Sequence, residues 1–131
     1  ARARVHMQTE TASLVARGAI SKGDVLSVAR VAGIQAAKRP PALCRRCHAL
    51  VGGSGVSEFR IEDGFGGGEA GVETVDRTGV EMEALTACSV AALTIYDMCK
   101  SADRSMVIGD LTLWEKTGGR SGAYRRDDGT S

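Results

Sequence analysis

Length, composition and charge exclude several classes of protein. The 131 residues make one domain of ordinary size, and 43% apolar and 25% charged residues are typical of a soluble globular chain. Seventeen basic against sixteen acidic residues give no strong field for nucleic acid, and no apolar run reaches the roughly 18 residues of a membrane span. We see no signal peptide and no disulfide framework among the four cysteines, which predicts a reducing compartment.

The first ten residues alternate in character. Ala1, Ala3, Val5 and Met7 fall on one side, while arginines, a histidine and other polar residues fall on the other. A period of two predicts a half-buried strand over residues 1–10. Because the chain begins inside this strand, we expect that a further N-terminal segment precedes it.

Residues 21–39 predict the first helix. Ser21 is its candidate N-cap, Asp24 stands in the capping-box position, and two prolines end it. Small residues predict a face packed closely on another backbone: Ala29, Ala32, Gly33, Ala36 and Ala37. Lys22 lies where the helix dipole disfavours a cation, so it is either a solvated lysine or part of an anion site with the helix N–H groups.

The middle of the chain predicts two strands. Alternation marks them over residues 56–62 and 72–77, after a short loop over residues 42–50. The glycine-rich stretch 64–71 should connect them. Within it, Gly66–Gly71 formally fits a dinucleotide fingerprint, but a strand rather than a helix follows, so the phosphate-binding geometry is missing.

Residues 80–101 predict the longest helix. Its apolar residues recur every three or four positions: Leu85, Cys88, Ala92, Ile95 and Cys99. Residues 106–115 predict a last strand in which Val107, Gly109, Leu111 and Leu113 share one face, and residues 116–122 predict a basic loop. Strands interleaved with helices predict an α+β fold, an antiparallel sheet with helices packed on one face.

The long helix carries charges in unusual places. Asp97 lies near its C-terminal end, one turn from Lys100, where a carboxylate opposes the helix dipole. The pair is either a surface ion pair or an acid/base pair tuned by partial burial. Glu83 lies fourteen residues earlier, about 21 Å along a continuous helix. If Glu83 and Asp97 serve one site, a neighbouring copy must supply one of them.

The cysteines allow two interpretations as metal-binding residues. Cys44-Arg45-Arg46-Cys47-His48 has the spacing of a haem attachment motif, although the chain lacks the all-helical character of a c-type cytochrome. A zinc site would add Cys88 and Cys99. Those two lie on the apolar face of a helix, which favours buried core cysteines.

Four stretches, in this order, resemble a known family. They are Lys22–Arg39, the pair Cys47-His48, Thr78–Lys100 and Met106–Gly122. In them the chain resembles the MoaC family, the cyclic pyranopterin monophosphate synthases of molybdenum cofactor biosynthesis. The match over Thr78–Lys100 is too long to arise by chance.

The resemblance implies a ferredoxin-like α+β subunit, a single MoaC-like domain over residues 1–131 that lacks the N-terminal segment of the family. It implies a homohexamer of three dimers with the active site at a subunit interface, in the cytoplasm, or in mitochondria for a eukaryotic protein. The implied reaction, of the phosphorus–oxygen lyase type, rearranges a cyclised dihydroguanosine triphosphate into cyclic pyranopterin monophosphate and releases pyrophosphate. The resemblance implies no metal or cofactor for this step, and the composition predicts neither a nucleic-acid nor a membrane partner.

The resemblance also implies roles for residues. Asp97 and Lys100 are the first candidates for acid/base work, supported by Lys22, Lys116 and His48. The residues that match substrate-binding positions are Arg46, Cys47, His48, Met82 and Glu83. Because the substrate is highly anionic, Arg120 joins the lysines as a candidate phosphate ligand.

One loop departs from the family pattern. Where the family usually has Leu-Ile-Pro-Leu-Cys-His, this chain has Leu43-Cys-Arg-Arg-Cys-His48. Two arginines thus replace an apolar, proline-fixed turn, and they either help to bind phosphate or perturb the loop. This difference keeps open a second class of function, a non-catalytic paralogue that retains the oligomer and binds a partner.

Overall fold

The computed structural model describes residues 1–38, 56–64, 68–76, 81–113, 115–116 and 124–125, and for residues 56–64, 75–76, 115–116 and 124–125 it describes the backbone. The helices are α1 Thr9–Ala16, α2 Val25–Ala36 and α3 Glu81–Cys99. The strands are β1 Arg2–His6, β2 Val56–Gly64, β3 Glu69–Asp76, β4 Val107–Thr112, β5 Glu115–Lys116 and β6 Tyr124–Arg125.

Strands β1 to β4 form one antiparallel sheet in the order β2-β3-β1-β4. Helices α1 and α2 lie between β1 and β2 in the chain, and α3 lies between β3 and β4. Helix α3 packs on β1, β3 and β4, and α2 packs on α3. This order of strands and helices is that of a ferredoxin-like fold, so the predicted α+β class with an antiparallel sheet is confirmed.

The two faces of β1 explain why the helices lie on one side. Ala3 and Val5 are buried at 1% and 0% exposure, as the alternation predicts. On the other face, Arg2 pairs with Glu73 at 3.3 Å and Arg4 with Glu69 at 3.4 Å across to β3. The helices therefore cover the face of small apolar side chains and leave the charged face open.

The prediction of a strand over residues 1–10 was wrong at its end. Strand β1 ends at His6, and α1 begins at Thr9. The apolar alternation carries on to Met7, which is buried, but Thr9 and Glu10 already belong to the first helical turn. A helix of eight residues therefore stands where the sequence predicted the last part of a strand and no further element.

The first predicted helix begins later than expected. Helix α2 starts at Val25, and its N-cap is Asp24, whose carboxylate accepts the N–H of Ser27 at 3.2 Å. Gly23 has a φ of 125°, a conformation that no helix contains, so Ser21 cannot cap this helix. The predicted small face is confirmed, since Ala29, Gly33 and Ala36 are buried.

The prediction for the longest helix is confirmed. Helix α3 is continuous from Glu81 to Cys99, and Cys88, Ile95 and Cys99 are fully buried. Among the described helices it is also the one whose length and composition would suit a membrane span, but half of that span is buried inside the domain. Burial of this kind is what the core helix of a folded domain shows.

The apolar face predicted for the last strand was wrong. In β4, Val107 and Leu111 are 58% and 44% exposed, and Ile108 packs against the core. The register explains this result, because Val107 lies opposite the exposed His6 and Ile108 lies opposite the buried Val5. Paired residues point to the same face of a sheet.

Strand β3 begins three residues earlier than predicted, directly after Gly68. The carbonyl of Gly68 accepts the N–H of Met7 at 2.7 Å, so the two backbones lie in contact. Gly68 has a φ of 71°, and a Cβ atom there would lie 2.5 Å from the Met7 carbonyl oxygen. A strand follows the glycine-rich stretch, as predicted, so the stretch lacks the helix that a dinucleotide site requires.

We predict that Gly68→Ala destabilises the domain more than Gly18→Ala does. Gly18 has a similar φ of 66° but open space around it, so its alanine variant meets the backbone penalty alone, about 1–2 kcal/mol. At Gly68 the contact with Met7 adds a further ~1–3 kcal/mol. Urea unfolding of both variants measures the difference, and equal free energies of unfolding would show that the close contact is unimportant.

Candidate active site

The C-terminal end of α3 brings together an acid and two cations. Lys100 Nζ lies 2.9 Å from Asp97 Oδ1, and both side chains are more than half exposed, at 53% and 64%. The two residues are three apart, so consecutive helical turns place them on one side of the helix. Because exposed pairs of this kind contribute little to stability, a need for stability does not explain why the pair is present.

Lys22 reaches the same place from another part of the chain. Its Nζ donates a hydrogen bond to the backbone carbonyl oxygen of Asp97 at 3.3 Å. The last carbonyls of a helix have no partner within the helix, and the dipole makes this end negative, so an ammonium group suits it. Lys22 is unfavourable beside the positive start of α2, but it is favourable beside the negative end of α3.

A short turn between α1 and α2 makes this reach possible. Ile20 is buried at 7% exposure and its carbonyl accepts the N–H of Gly23 at 3.1 Å. The positive φ of Gly23 then turns the chain into α2. Lys22 stands inside this turn, so the buried Ile20 and the start of α2 fix the backbone on both sides of it.

The two lysines lower the pKa of Asp97. The largest cause is the hydrogen bond from Lys100, followed by the charges of Lys100 and Lys22. Partial burial, which the sequence suggested as the cause of a shift, opposes it and is the smallest influence. Asp97 is therefore a carboxylate at neutral pH, and the cluster of Lys22, Asp97 and Lys100 carries a net positive charge.

A buried carboxylate lies just beyond this cluster. Asp103 is 3% exposed, and its two oxygens accept four hydrogen bonds. Oδ2 accepts the N–H of Gln8 at 2.8 Å and the hydroxyl of Thr11 at 3.0 Å. Oδ1 accepts the N–H and the hydroxyl of Ser105 at 2.8 and 2.6 Å. Asp103 therefore joins the start of α1 to the turn that follows α3.

Asp103 was not predicted from the sequence. A local signal for half of its bonds exists, because Asp followed two residues later by Ser is the pattern of a turn in which the Asp side chain accepts a backbone N–H. The other half comes from Gln8 and Thr11, which lie more than ninety positions away in the chain. No local pattern predicts such a contact.

Of the remaining predicted site residues, three lie within the described ranges and four lie outside them. Met82 and Glu83 lie in the first turn of α3, at 39% and 8% exposure, and therefore at the opposite end from Asp97. Lys116 lies in β5, where its backbone pairs with Tyr124. The predictions for Arg46, Cys47, His48 and Arg120 lie outside the described residues, as does the rest of the 42–50 loop.

The described cysteines are core residues, as their position on the apolar face of the helix predicts. Cys88 and Cys99 are both fully buried, and burial followed by the charge of Asp103 raises the pKa of the Cys99 thiol to about 11. A zinc ligand needs the opposite, a thiolate. The two also lie about 16 Å apart along α3. Within the described ranges, no group of three or more His, Cys, Asp and Glu side chains is placed to hold a metal ion.

Comparison with known proteins decides the family. The sequence profile of the MoaC family matches residues 1–119. The chain belongs to the MoaC family. Because its relatives in this family are named as synthases, it is an enzyme of molybdenum cofactor biosynthesis.

Individual relatives agree with the family match. A protein of Thermomicrobium roseum named cyclic pyranopterin monophosphate synthase is 55% identical over 130 residues, covering 98% of this chain and 78% of the relative. Proteins with the same name from Pelobacter propionicus and Desulfitobacterium hafniense are 49% and 52% identical, each over 98% of this chain and over 82% and 79% of their own lengths. The MoaC resemblance of the sequence is thereby confirmed over nearly the whole chain.

We predict that Lys100→Ala raises the pKa of Asp97 toward the ordinary value of 3.8, because it removes the hydrogen bond and the nearer charge. Lys22→Ala should raise it less, since Lys22 acts on the carboxylate through its charge alone. A ¹³C NMR titration of the aspartate carboxyl groups, followed over the pH range in which the protein stays folded, measures both.

Asp24 provides an internal control for the Lys100 variant. Its pKa is lowered by hydrogen bonds from Ser27, which the Lys100 substitution does not touch. An Asp97 titration that is unchanged in Lys100→Ala would contradict the ion pair.

Proposed function

We propose that this chain is a cyclic pyranopterin monophosphate synthase. It converts a cyclised dihydroguanosine triphosphate into cyclic pyranopterin monophosphate and releases pyrophosphate, as a phosphorus–oxygen lyase. The names of its relatives support this product. One observation in the fold carries the proposal: Lys22, in the turn before α2, and Lys100, directly after α3, both contact Asp97.

The charge of this cluster suits the substrate. A triphosphate and the departing pyrophosphate need cations that are held in place before the substrate arrives. Lys22 is held by the Asp97 carbonyl and Lys100 by the Asp97 carboxylate, so one residue orients both ammonium groups. The exposure of the pair leaves room for a ligand. We propose that Arg46, Lys116 and Arg120 add further positive charge around the phosphates.

The cluster also offers groups for proton transfer. Opening and closing rings requires a proton acceptor and a proton donor at fixed positions. Asp97 is ionised at neutral pH, because Lys100 and Lys22 lower its pKa, so it can accept a proton or hold Lys100. The Lys100 ammonium is the complementary donor, only 2.9 Å away. We propose that His48 takes part in the same proton transfers.

We further propose that a second copy of the chain completes the site, within a homohexamer. Met82 and Glu83 match substrate-binding positions, yet α3 is continuous and keeps them about 21 Å from Asp97. One small substrate cannot touch both ends of this helix. The distance is no obstacle if two subunits share the site. The Glu83 end of α3 in one subunit would then face the Lys100 end of α3 in its neighbour.

The activity test is pyrophosphate release with identification of the pterin product. We predict that Lys100→Ala and Asp97→Ala lower kcat by a factor on the order of 10² or more, as expected for loss of acid/base catalysis. Arg17→Ala is the matched control, because Arg17 is an exposed cation at the end of α1 whose side chain donates a hydrogen bond to the Ser13 carbonyl of its own helix.

The two variants and the wild type separate the possible outcomes. Full activity in both variants would refute the assignment of Asp97 and Lys100. A wild-type protein that folds and assembles but releases no pyrophosphate would refute the synthase itself, and it would favour the non-catalytic paralogue that the two loop arginines leave open.

Mixing inactive variants tests the shared site. We predict that Glu83→Gln and Lys100→Ala, each inactive alone, recover activity when their subunits are exchanged, because about a quarter of the interface sites then combine two intact ends. Asp97→Ala mixed with Lys100→Ala is the control and should recover nothing, since both changes lie at one end. Failure of the first pair to recover, once subunit exchange is verified by mass spectrometry, would refute the shared site.

A further inference from the structure

Asp103 is a buried charge for which the proposed reaction has no use. Its hydrogen-bond partners do not include Lys22, Asp97 or Lys100. The residue is 3% exposed. Burying a carboxylate is costly unless every oxygen is well paired. Four hydrogen bonds at 2.6–3.0 Å meet that cost here. The position of this charge therefore reflects a specific requirement on the chain around it.

The chain around Asp103 is the turn that carries Lys100. Helix α3 ends at Cys99, whose carbonyl accepts the N–H groups of Ala102 and Asp103 at 2.9 and 3.0 Å. Lys100 is the first residue beyond the helix, and its own side chain is exposed. On one side of it the Cys99 side chain is fixed in the core at 0% exposure, and on the other side Asp103 is fixed by its four bonds.

The hydrogen bonds of Asp103 connect the turn after α3 to other parts of the chain. Gln8 and Thr11 belong to the start of α1, and Ser105 leads into β4. Gln8 is the N-cap of α1 but makes no capping bond with its own side chain, so the Asp103 carboxylate supplies the acceptor and the negative charge that a helix start favours. The turn after α3 is thereby held against a separate helix.

We propose that Asp103 is a positioning residue for the active site: by anchoring the turn after α3 to the start of α1, it holds Lys100 against Asp97. The catalytic part of this inference rests on the proposed function, while the structural part does not. Asp103 touches no reacting group itself and acts through the backbone of residues 100–103.

The ionisation of Asp103 fits a permanent anchor. Burial by itself raises its pKa, but the hydrogen bonds from Ser105, Gln8 and Thr11 outweigh burial and lower the pKa to about 2. Because the folded pKa is below the ordinary value of 3.8, the anchor stabilises the fold fully above about pH 4 and weakens only as the pH falls toward 2. The anchor therefore does not titrate in any pH range suited to the assay.

The test compares Asp103→Asn with Val72→Ala. Val72 is buried at 1% exposure in β3, beside Cys88 rather than at the end of α3, so its variant lowers the melting temperature without touching the turn. Both proteins are assayed well below their melting temperatures. We expect Asp103→Asn to lower kcat on the order of tenfold, and by more than it raises KM, whereas Val72→Ala leaves both unchanged.

A second readout does not depend on catalysis. In the ¹³C titration, we expect the pKa of Asp97 to rise toward its ordinary value in Asp103→Asn, because Lys100 is no longer held beside it, and to stay unchanged in Val72→Ala. If the wild type has no synthase activity, this readout still tests the anchor. Failure of the proposed function and failure of this inference are therefore distinguishable.

A milder pair of variants covers the case in which Asp103→Asn does not fold. Thr11→Val removes one of the four bonds with almost no change of shape, and Thr11→Ser keeps the hydroxyl. We expect a smaller rise in the pKa of Asp97 and a smaller loss of kcat for Thr11→Val, with both restored in Thr11→Ser. An Asp97 pKa in the Asp103 or Thr11 variants equal to that of Val72→Ala would overturn the proposal, as would a loss of kcat without that pKa change.

Discussion

The close approach of α3 to the sheet is the constraint on which the rest of the domain depends. The helix turns Ala84, Ala87, Ala91 and Ala92 inward, all at 0% exposure. The inner face of β1 carries the small residue Ala3, and Ala1, directly before the strand, is buried as well. Small side chains bury little area each, so they stabilise the fold only if the two backbones lie close together. A larger residue at any of these positions would push the helix away from the sheet or from α2, which also packs on it.

Because α3 is packed this closely, the residues at its two ends have fixed positions. The first turn of α3 presents Met82 and Glu83, and the last turn presents Asp97. The negative end of the helix then accounts for the two lysines, because Lys22 satisfies a free carbonyl and Lys100 pairs with the carboxylate. The chemistry of the cluster is thus a consequence of where the helix stops.

Much of the fold could be predicted from periodicity, and the failures have physical causes. The buried face of α3 and the inner face of β1 follow from spacings of three or four and of two, because one partner surface fixes each of them. Helix α1 was missed because its eight residues, TETASLVA, follow directly on an alternating strand, and its cap comes from Asp103 in a distant part of the chain. The face of β4 was wrong because pairing with β1 decides it, and both patterns fit the sequence of β4.

The candidate site was less predictable than the fold. Asp97 and Lys100 could be recognised as an odd pair from helical spacing alone. Nothing local places Lys22 beside them, since the turn that carries it depends on the burial of Ile20 and on the conformation of Gly23. The resemblance to the family marked Lys22 as a candidate, and only the fold explains its place. Asp103 had a local signal only for its bonds to Ser105, because its other partners, Gln8 and Thr11, come from a distant part of the chain.

The buried cysteines give α3 an internal reporter of its own motion. The Cys88 and Cys99 thiols have no access to solvent, and the raised pKa of Cys99 keeps that thiol protonated near neutral pH. Alkylating reagents and oxidants attack thiolates that they can reach, so both residues are inert while the helix lies on the sheet. Their rate of modification therefore measures how often α3 lifts away, and the two positions separate fraying of the Lys100 end from opening of the helix centre.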